Sequence, residues 1–451
     1  LPQAQFILGE MYFNGTGVLS NGIRIGKHGE EAVKWFRMAA EQNHPQAQFN
    51  LWWIYANGQE VDLDIEEAVK WYRKVTNLRY DPSKEKLPQA QFALGLMYEN
   101  GLEVEKSNQK AFQWYHKAAE QNLPQAQCRV GCMYATGIVT EKDLGEAVKW
   151  HDKAAKQNYE PAIKKLPQTQ FGLGLMYENG LGVEKNLKEA IKWYQKAKEK
   201  NYEPAKEKLP KAQFSLGLMY EKGVGVEKNK REAFRWYHEA AEQNHSQAQY
   251  NLGIMYENGL GVEEDERKSL TWYRKAAEQN HSLAQFNLGW RYENGLGVKQ
   301  NKLEAVKWYR KAAELNLPQA QFSLGWMFAN GLGVGKDMRT AIMWYSTASE
   351  KNYQPAIEKL PQAQFNLGLM YAKGQGVKKD LEEGVFWYKK AAERNLAEAQ
   401  FYLGWMHENG LGVKKKDLTE AVKWYRKAAE QGYEPAKALL KNILQKDNPK
   451  E

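Results

Sequence analysis

The chain has few of the features that mark enzymes, membrane proteins and disulfide-stabilised domains. Its 451 residues include two cysteines, and no apolar run approaches the roughly 18 residues that a membrane-spanning helix needs. Phosphate-binding glycine loops, HExxH zinc motifs and GxSxG nucleophile motifs do not occur. We therefore predict a protein that is not an enzyme, with no catalytic residue, no cofactor, no bound metal ion and no membrane partner.

The two cysteines bear on the compartment and on an alternative metal site. Cys128 and Cys132 lie four residues apart on one predicted helix, where disulfide geometry is hard to reach. The missing disulfide framework favours the cytoplasm. A zinc site that also uses His116 or His151 is the weaker alternative, because CxxxC without a second ligand pair is a weak zinc signal.

The compartment stays open at this stage. The chain begins at Leu1, already inside a repeat, so a signal peptide ahead of it is an alternative. Glycosylation sequons, which would be used only in a secreted chain, occur at Asn14, Asn244 and Asn280.

The formal net charge is +9, but the basic residues are spread out. Lysine alternates with glutamate along the segment 189–200, which is typical of the solvated face of a helix. A nucleic-acid footprint would instead cluster basic residues on one face. The charge therefore does not indicate a nucleic-acid partner.

What the chain does contain is one phrase, AQFxLGxMYENGLGV, repeated along its length. We number each copy from the small residue that opens it, as position 0. The intervals between these residues are 36 or 43, and the residues are Ala4, Ala47, Ala90, Ala126, Thr169, Ala212, Ala248, Ala284, Ala320, Ala363 and Ala399. Such a period predicts a solenoid in which each unit buries its apolar face against its neighbours.

The intervals divide the chain into eleven repeats and a capping segment within one continuous solenoid. Repeats 1 to 11 are predicted at 1–46, 47–86, 87–125, 126–165, 166–208, 209–247, 248–283, 284–319, 320–359, 360–398 and 399–432. A C-terminal capping helix and tail is predicted at 433–451.

Each repeat has the pattern of two helices, which we name helix A and helix B. In repeat 7, Leu252, Met255 and Tyr256 follow a helical period, and Asn258-Gly259 ends helix A. Glycine stands at position +5 in ten repeats, although it costs up to about 1 kcal/mol inside a helix. Helix B carries a tryptophan in all eleven repeats, and in repeat 7 this is Trp272, at position +24. We predict that this tryptophan fills the space opposite the glycine. In repeat 2, Trp52 replaces the glycine, and we expect it to disturb the packing of helix A against helix B.

This pattern resembles the Sel-one-like repeat (SLR), a relative of the tetratricopeptide repeat, over about residues 1–435. The resemblance implies an all-α, right-handed superhelical α/α solenoid of antiparallel helix pairs, with helices A lining the concave side. It also implies a function, since members of this family are adaptors and scaffolds and none acts as an enzyme through its repeats.

Four of the five 43-residue intervals contain a recurrent heptad at the junction between repeats, whereas the seven extra residues of the first lie in the turn of repeat 1, around Leu19–Gly26. The heptads are YDPSKEK (80–86), YEPAIKK (159–165), YEPAKEK (202–208) and YQPAIEK (353–359). Because seven residues make about two helical turns, each heptad is predicted to extend the following helix A at its start.

The candidate binding surface is a stripe along helices A at positions +2, +6 and +9. Aromatic residues at +2 and tryptophans at +6 form the apolar part, and glutamate recurs at +9. The predicted partner-binding residues are Phe49, Trp53, Phe286, Trp290, Glu293, Phe322, Trp326, Phe401 and Trp405. Packing between helices is the alternative role for these aromatic residues, while exposed apolar stripes mark partner sites.

Three functions remain open from the sequence. The first is a scaffold or adaptor that binds a protein or peptide through the concave helix-A face. The second is a regulatory subunit, an activator or inhibitor, that holds a catalytic partner. The third is a nucleic-acid binder that uses the basic surface. No small-molecule ligand is indicated.

Overall fold

The computed structural model describes residues 1–17, 26–57, 64, 67–68, 70–71, 74, 88–102 and 104–447. In these ranges the chain forms helices and no strand, so the predicted all-α solenoid of helix pairs is confirmed. None of the helices found in the described ranges combines the length and the apolarity needed to cross a membrane.

The helices alternate between the two kinds that the pattern predicts. Helices A are Pro2–Asn14, Pro45–Asn57, Pro88–Asn100, Pro124–Thr136, Glu160–Asn179, Glu203–Lys222, Ser246–Glu257, Ser282–Asn294, Pro318–Asn330, Gln354–Lys373 and Ala397–Asn409. Helices B are Gly29–Glu41, Asn108–Glu120, Leu144–Lys156, Leu187–Glu199, Lys230–Glu242, Glu266–Glu278, Lys302–Glu314, Met338–Glu350, Leu381–Glu393 and Leu418–Glu430, followed by a last helix, Glu434–Asp447.

Short polar signals set where these helices begin and end. Helix A of repeat 8 ends at Gly295, whose φ of 75° is the left-handed conformation that glycine adopts without strain. Helix B of repeat 7 begins at Asp265, whose carboxylate accepts a hydrogen bond from the Lys268 amide at 2.9 Å. Asn280 follows the end of that helix with a φ of 62°, which asparagine tolerates better than most residues. Because these signals recur in most of the repeats that the structure describes, helices and turns alternate regularly.

The chain divides into two compact units, Leu1–Ala212 and Gln213–Glu451. Within each unit, helix A packs along helix B of its own repeat, and helix B packs along the helix A that follows. Alanine and leucine are the most frequent buried apolar residues of both units, and buried tyrosine is as frequent as leucine in the second. Each repeat therefore has a core that it shares with its sequence neighbours, as expected of a solenoid.

In eight repeats the glycine of helix A lies directly against a tyrosine of helix B. A methyl group added to Gly253 would lie 2.5 Å from the ring of Tyr273, and one added to Gly289 would lie 2.8 Å from Tyr309. The prediction that Trp272 fills this space is therefore wrong, since the next residue, Tyr273, does so. Successive residues of a helix point about 100° apart, so only one of this pair can face helix A.

The tryptophan of helix B instead faces the preceding repeat. The Trp272 ring lies 5.7 Å from the His238 ring in the preceding helix B, edge to face. The Lys275 ammonium, one turn along, lies 4.0 Å from the centre of the indole and covers it. These tryptophans therefore join neighbouring repeats, and the tyrosines join the two helices of one repeat.

The buried tyrosine also reaches a carboxylate at the end of helix A. The Tyr309 hydroxyl donates a hydrogen bond to Glu293 Oε2 at 2.6 Å, and five other repeats have the same pair at Tyr115–Glu99, Tyr194–Glu178, Tyr237–Glu221, Tyr273–Glu257 and Tyr425–Glu408. Burial and the adjacent carboxylate raise the pKa of Tyr309 far above its ordinary value. In repeat 9 the residue at +9 is Ala329, and burial alone raises the pKa of Tyr345 to about 12.

A buried glutamine at position +1 joins one repeat to the next. Gln249 donates a hydrogen bond to the Ala241 carbonyl at the end of the preceding helix B, at 3.1 Å. The side-chain oxygen of Gln249 accepts a hydrogen bond from the side-chain amide of Gln279 at 2.6 Å. Where the residue at +31 is not glutamine, as at Leu315, the buried oxygen of the corresponding Gln285 is left without a hydrogen-bond partner in the described part of the chain. The residue at +31 thus decides whether this buried amide is fully paired.

The inserted heptads lengthen helix A at its start, as predicted, at three of the four junctions. The helices Glu160–Asn179, Glu203–Lys222 and Gln354–Lys373 each contain 20 residues, whereas the other helices A contain 12 or 13. The fourth heptad, 80–86, lies outside the described residues.

The heptads also change the contact between neighbouring repeats. After a 36-residue interval, a methyl group on the turn glycine Gly261 would lie 2.3 Å from the Lys230 carbonyl oxygen of the preceding helix B. After a 43-residue interval, a methyl group on the equivalent Gly182 would meet only the Met176 side chain of its own repeat within 4 Å, among the described residues. A cleft of about 560 Å³ opens between repeats 4 and 5 at this place, lined in part by Leu144 and Trp193.

Trp52 is fully buried against Phe49, with the two ring centres 5.2 Å apart. Most of the helix B that it would meet in repeat 2 lies outside the described residues, so the predicted disturbance of that repeat stays a prediction.

The Gly253→Ala substitution tests the contact between the two helices of a repeat. The added methyl meets a buried ring, so we expect a loss of about 1–3 kcal/mol in the local stability of repeat 7. That loss outweighs the gain of up to about 1 kcal/mol that alanine brings to a helix. Hydrogen exchange of the amides of repeat 7 measures it. Gly335→Ala is the control, because its added methyl would have no described residue within 4 Å apart from its immediate chain neighbours. A Gly253→Ala variant as stable as the parent would contradict the contact.

A second pair of substitutions isolates the bond between tyrosine and glutamate. Tyr309→Phe removes a hydroxyl that is bonded to a carboxylate, and we expect it to destabilise repeat 8 by about 1–2 kcal/mol. Tyr345→Phe removes the same hydroxyl from a repeat that has Ala329 in place of the glutamate, so its effect should be smaller. Equal losses in hydrogen-exchange protection for the two variants would show that the carboxylate contributes nothing.

Candidate functional site

Position +6 of helix A is the place where repeats differ most in exposure. Leu96 is buried, and Leu175, Leu218, Ile254 and Leu369 are half-buried. Glu10 is exposed at this position in repeat 1, and the exposed apolar residues are three tryptophans, since 43% of Trp290, 41% of Trp326 and 42% of Trp405 is exposed. The helix-A surface of the second unit therefore presents large aromatic side chains to solvent in three repeats.

Trp53 does not share this exposure, although it stands at the same position in repeat 2. It is buried, and its ring lies 5.9 Å from Phe13, edge to face. Phe13 stands at +9 of repeat 1, where the second unit has Glu257 or Glu293. Phe49 is buried as well. Neither Phe49 nor Trp53 therefore lies on an open surface, because an aromatic neighbour covers the indole.

The predicted phenylalanines at +2 contribute to packing between helices. Phe286 lies 5.6 Å from the Tyr309 ring, Phe322 lies 5.4 Å from Tyr345, and Phe401 lies 5.6 Å from Tyr425, measured between ring centres. Each is only half-buried. Part of each ring therefore remains at the surface next to a tryptophan one turn later, while its main contacts are internal.

Glu293 stands one turn after Trp290 on the same helix. One of its oxygens is bonded to Tyr309, and the residue is half-buried. Phe13 and Trp53 are in contact, and Glu293 and Trp326 occupy the equivalent positions in repeats 8 and 9. Trp326 therefore has a carboxylate where Trp53 has a phenyl ring.

The predicted site residues fall into two groups. Phe286, Trp290 and Glu293 share one helix, and Phe322 and Trp326 occupy the helix A of the next repeat. Phe401 and Trp405 belong to repeat 11, and the helix A between carries the half-buried Leu369 at +6. The consecutive pair Trp290 and Trp326 is thus the denser part of the surface, and we name these two tryptophans with Glu293 the tryptophan face.

Arg291 is a functional-looking residue that the sequence reasoning missed. It replaces the methionine that nine of the other ten repeats have at +7, and it is 2% exposed. Its guanidinium forms an ion pair with Glu257 at 2.9 Å and lies 5.5 Å from the centre of the Tyr273 ring. In the next repeat Met327 stands at this position, so Glu293 lacks the cation that neutralises Glu257.

The surface of helix B carries lysines paired with glutamates three residues earlier. Examples are Lys307 with Glu304 at 2.5 Å and Lys423 with Glu420 at 3.2 Å. Such exposed pairs add little stability, but they distribute both charges along the helix.

Repeat 4 has a different set of side chains, which includes both cysteines. Cys128, Cys132 and His151 offer donor atoms that all lie within 4.8 Å of one another. A hydrogen bond between the two thiols raises the pKa of Cys128 and lowers the pKa of Cys132. His151 lowers the pKa of Cys132 further. His116 is not part of this group, because it packs against Trp150 with ring centres 5.4 Å apart.

Comparison with known proteins was made at the level of families, curated proteins and solved structures. A profile of the Sel1 repeat matches eleven times, at residues 2–44, 45–77, 88–123, 124–159, 167–202, 210–245, 246–281, 282–317, 318–353, 361–396 and 397–433. The comparison with curated proteins gave no match.

Three solved structures illustrate the likeness. The c5321 protein, a protective antigen of uropathogenic Escherichia coli strains with an SLR fold, is 32% identical over 92% of this chain and 90% of its own, with a TM-score of 0.38. A Sel1 repeat protein from Oxalobacter formigenes is 29% identical over 73% of this chain and 89% of its own, with a TM-score of 0.37. The cysteine-rich protein B of Helicobacter pylori is 32% identical over 30% of this chain and 92% of its own, with a TM-score of 0.23.

These TM-scores are all below 0.5, so the family assignment depends on the eleven repeat matches alone. The chain belongs to the Sel1 repeat family, whose members generally serve as scaffolds for protein–protein interaction.

Proposed function

We propose that this protein is a non-catalytic scaffold that binds an extended segment of a protein partner through its tryptophan face, on the helix-A side that the family resemblance expects to be concave. The observation that carries this proposal is the exposure of Trp290 and Trp326, at 43% and 41%, in consecutive repeats.

The fold does not require these indoles at the surface. Repeats 5, 6, 7 and 10 have Leu or Ile at the same position, and their helix pairs form in the same way. An exposed indole costs free energy in water unless something covers it, because its apolar area is large. Rigid aromatic side chains are also enriched among the residues that dominate binding energy at interfaces. Both points favour a role in binding.

Charge indicates the chemistry of the partner. Glu293 adds a carboxylate to the tryptophan face, and Met327 cannot neutralise it as Arg291 neutralises Glu257. An indole also attracts a cation to its face. We infer a partner segment that places an Arg or Lys next to an apolar anchor.

The other two functions fit the surface less well. A nucleic-acid partner would need a continuous basic face, whereas the helix-B lysines at Lys307 and Lys423 are paired with glutamates. A regulatory subunit would use the same tryptophan face, so it is distinguished by whether the bound partner is an enzyme whose rate changes.

The experiment is a selection of displayed random peptides on the intact chain, with a Trp290→Ala/Trp326→Ala variant as the counter-selection. Peptides that bind the parent and not the variant should be enriched in a basic residue beside an apolar one. Enrichment of acidic peptides would contradict the inference that the partner segment is basic. If no peptide binds the parent better than the variant, the tryptophan face is not the binding surface.

Affinity of a selected peptide gives the quantitative prediction. The double variant should bind it at least about 30-fold more weakly, which corresponds to about 2 kcal/mol and the hot-spot range. Its melting temperature should change little, because both side chains are exposed. Isothermal titration calorimetry and circular dichroism measure the two effects.

The matched control is Leu303→Ala/Met343→Ala. These apolar side chains lie on helices B of the same two repeats and are 54% and 52% exposed. They should leave peptide affinity unchanged. If the double tryptophan variant has a much lower melting temperature but still binds the peptide, Trp290 and Trp326 contribute to packing and not to binding.

A further inference from the structure

Repeat 4 departs from the repeat pattern at positions that meet in space. Cys128 replaces the aromatic residue at +2, and Cys132 stands at +6, where other repeats have mainly Leu or Trp. His151 replaces the tyrosine that faces the helix-A glycine, and Thr169 replaces the alanine that opens the next repeat. A methyl group on Gly131 would lie 2.6 Å from the His151 ring, so the imidazole occupies the space that tyrosine fills elsewhere.

The contacts inside this group are short. Cys132 Sγ lies 3.6 Å from His151 Nε2, and the three donor atoms lie within 4.8 Å of one another. Cys128 and Cys132 are four residues apart on one helix, so their side chains emerge from the same face. The cluster therefore directs two sulfur atoms and one ring nitrogen toward a common point.

Hydrogen bonding fixes which ring nitrogen of His151 is free to bind. The Thr169 hydroxyl donates its single proton to the Lys165 carbonyl at 3.0 Å. It lies 3.0 Å from His151 Nδ1, and it can only accept there, so Nδ1 carries the hydrogen. Nε2 of the neutral ring then directs its lone pair toward the two thiols. This is the arrangement of a metal-binding histidine, whose second nitrogen donates to a supporting group.

We propose that Cys128, Cys132 and His151 bind a Zn²⁺ ion, with a fourth coordination position left for water or another ligand. Two thiolates and an imidazole are a donor set that zinc prefers. Zinc–sulfur and zinc–nitrogen bonds of about 2.3 and 2.0 Å at tetrahedral angles place neighbouring donor atoms about 3.5–3.8 Å apart. The 3.6 Å between Cys132 Sγ and His151 Nε2 matches this spacing, and the other donor pairs lie within 4.8 Å.

The position of the cluster suits binding from solvent. Cys128 and His151 are buried, with 5% and 1% of each residue exposed, whereas Cys132 is half-buried and gives the ion a way in. A protonated thiol that binds zinc as thiolate releases its proton to solvent, so binding releases at most two protons for each ion. A disulfide between the two cysteines is unfavourable in the folded chain, because one helix holds them four residues apart and its geometry opposes the S–S dihedral angle.

Cobalt titration of the reduced, intact chain tests the proposal. Co²⁺ reports its ligands, since thiolate coordination adds a charge-transfer band in the near ultraviolet and a tetrahedral site adds intense visible bands. We expect these bands to saturate at one ion per chain and to disappear when Zn²⁺ displaces Co²⁺. Zn²⁺ should also protect both thiols from alkylation, read by mass spectrometry.

The variants come from the repeat pattern itself, which favours a folded product. His151→Tyr and Cys128→Phe install the residues found in sister repeats, and each should abolish the tetrahedral cobalt spectrum. Thr169→Ala installs the usual alanine and leaves all three ligands, so it should weaken cobalt binding by about tenfold through loss of the supporting hydrogen bond. His281→Tyr is the matched control at a distant repeat, and it should leave the spectrum unchanged.

Several results would overturn the site. Cobalt binding without a charge-transfer band would show that no thiolate takes part. If the His151→Tyr variant keeps the tetrahedral cobalt spectrum, His151 is not a ligand. If the His281→Tyr variant loses the spectrum to the same extent, the metal binds elsewhere. Should a variant fail to fold by circular dichroism, failure of Zn²⁺ to protect Cys128 and Cys132 in the parent chain decides against the proposal.

Discussion

Helix A and helix B of a repeat approach so closely that the glycine between them cannot carry a side chain, and much of the structure depends on this contact. The ring that fills the space belongs to tyrosine, as in Gly253 with Tyr273. The tyrosine hydroxyl is thereby held beside the glutamate at the end of helix A. The neighbouring tryptophan, turned about 100° away, is left to contact the preceding repeat.

This contact also explains why a few departures from the repeat carry information. Because the backbone geometry recurs, a position that faces another in one repeat faces it in the others, and an unusual pair of residues meets without further adjustment. Phe13 covers Trp53, while the equivalent Glu293 leaves Trp326 open. His151, in the place of a tyrosine, meets Cys132 in the same way.

The sequence predicted the helices and their order because its period, its glycine stops and its capping residues are local signals. It also predicted that the heptads lengthen helix A. It assigned the wrong partner to the glycine, because Trp272 and Tyr273 are adjacent and recur together, and periodicity does not tell which of two large rings faces inward. The direction of a side chain at +24 or +25 depends on how helix B is rotated against helix A.

The candidate site was predicted only in part for a similar reason. Position +6 lies at the border between packing and solvent, so exposure there depends on the neighbour in the preceding repeat. Trp53 and Trp290 are the same residue at the same position, yet one is buried and the other exposed. The cysteine and histidine cluster was weak in sequence because its members lie on two helices, and the register of those helices brings them together.

Hydroxyl-radical footprinting of the intact chain tests the central claim most directly, because oxidation rate follows the exposure of each tryptophan. Trp290, Trp326 and Trp405 should oxidise several-fold faster than the buried helix-B residues Trp272 and Trp424. Addition of a peptide selected on the parent chain should then protect Trp290 and Trp326. It should leave unchanged the half-buried Trp114, which lies on helix B of repeat 3. Equal oxidation of all five tryptophans, or a bound peptide that protects neither Trp290 nor Trp326, would contradict the account.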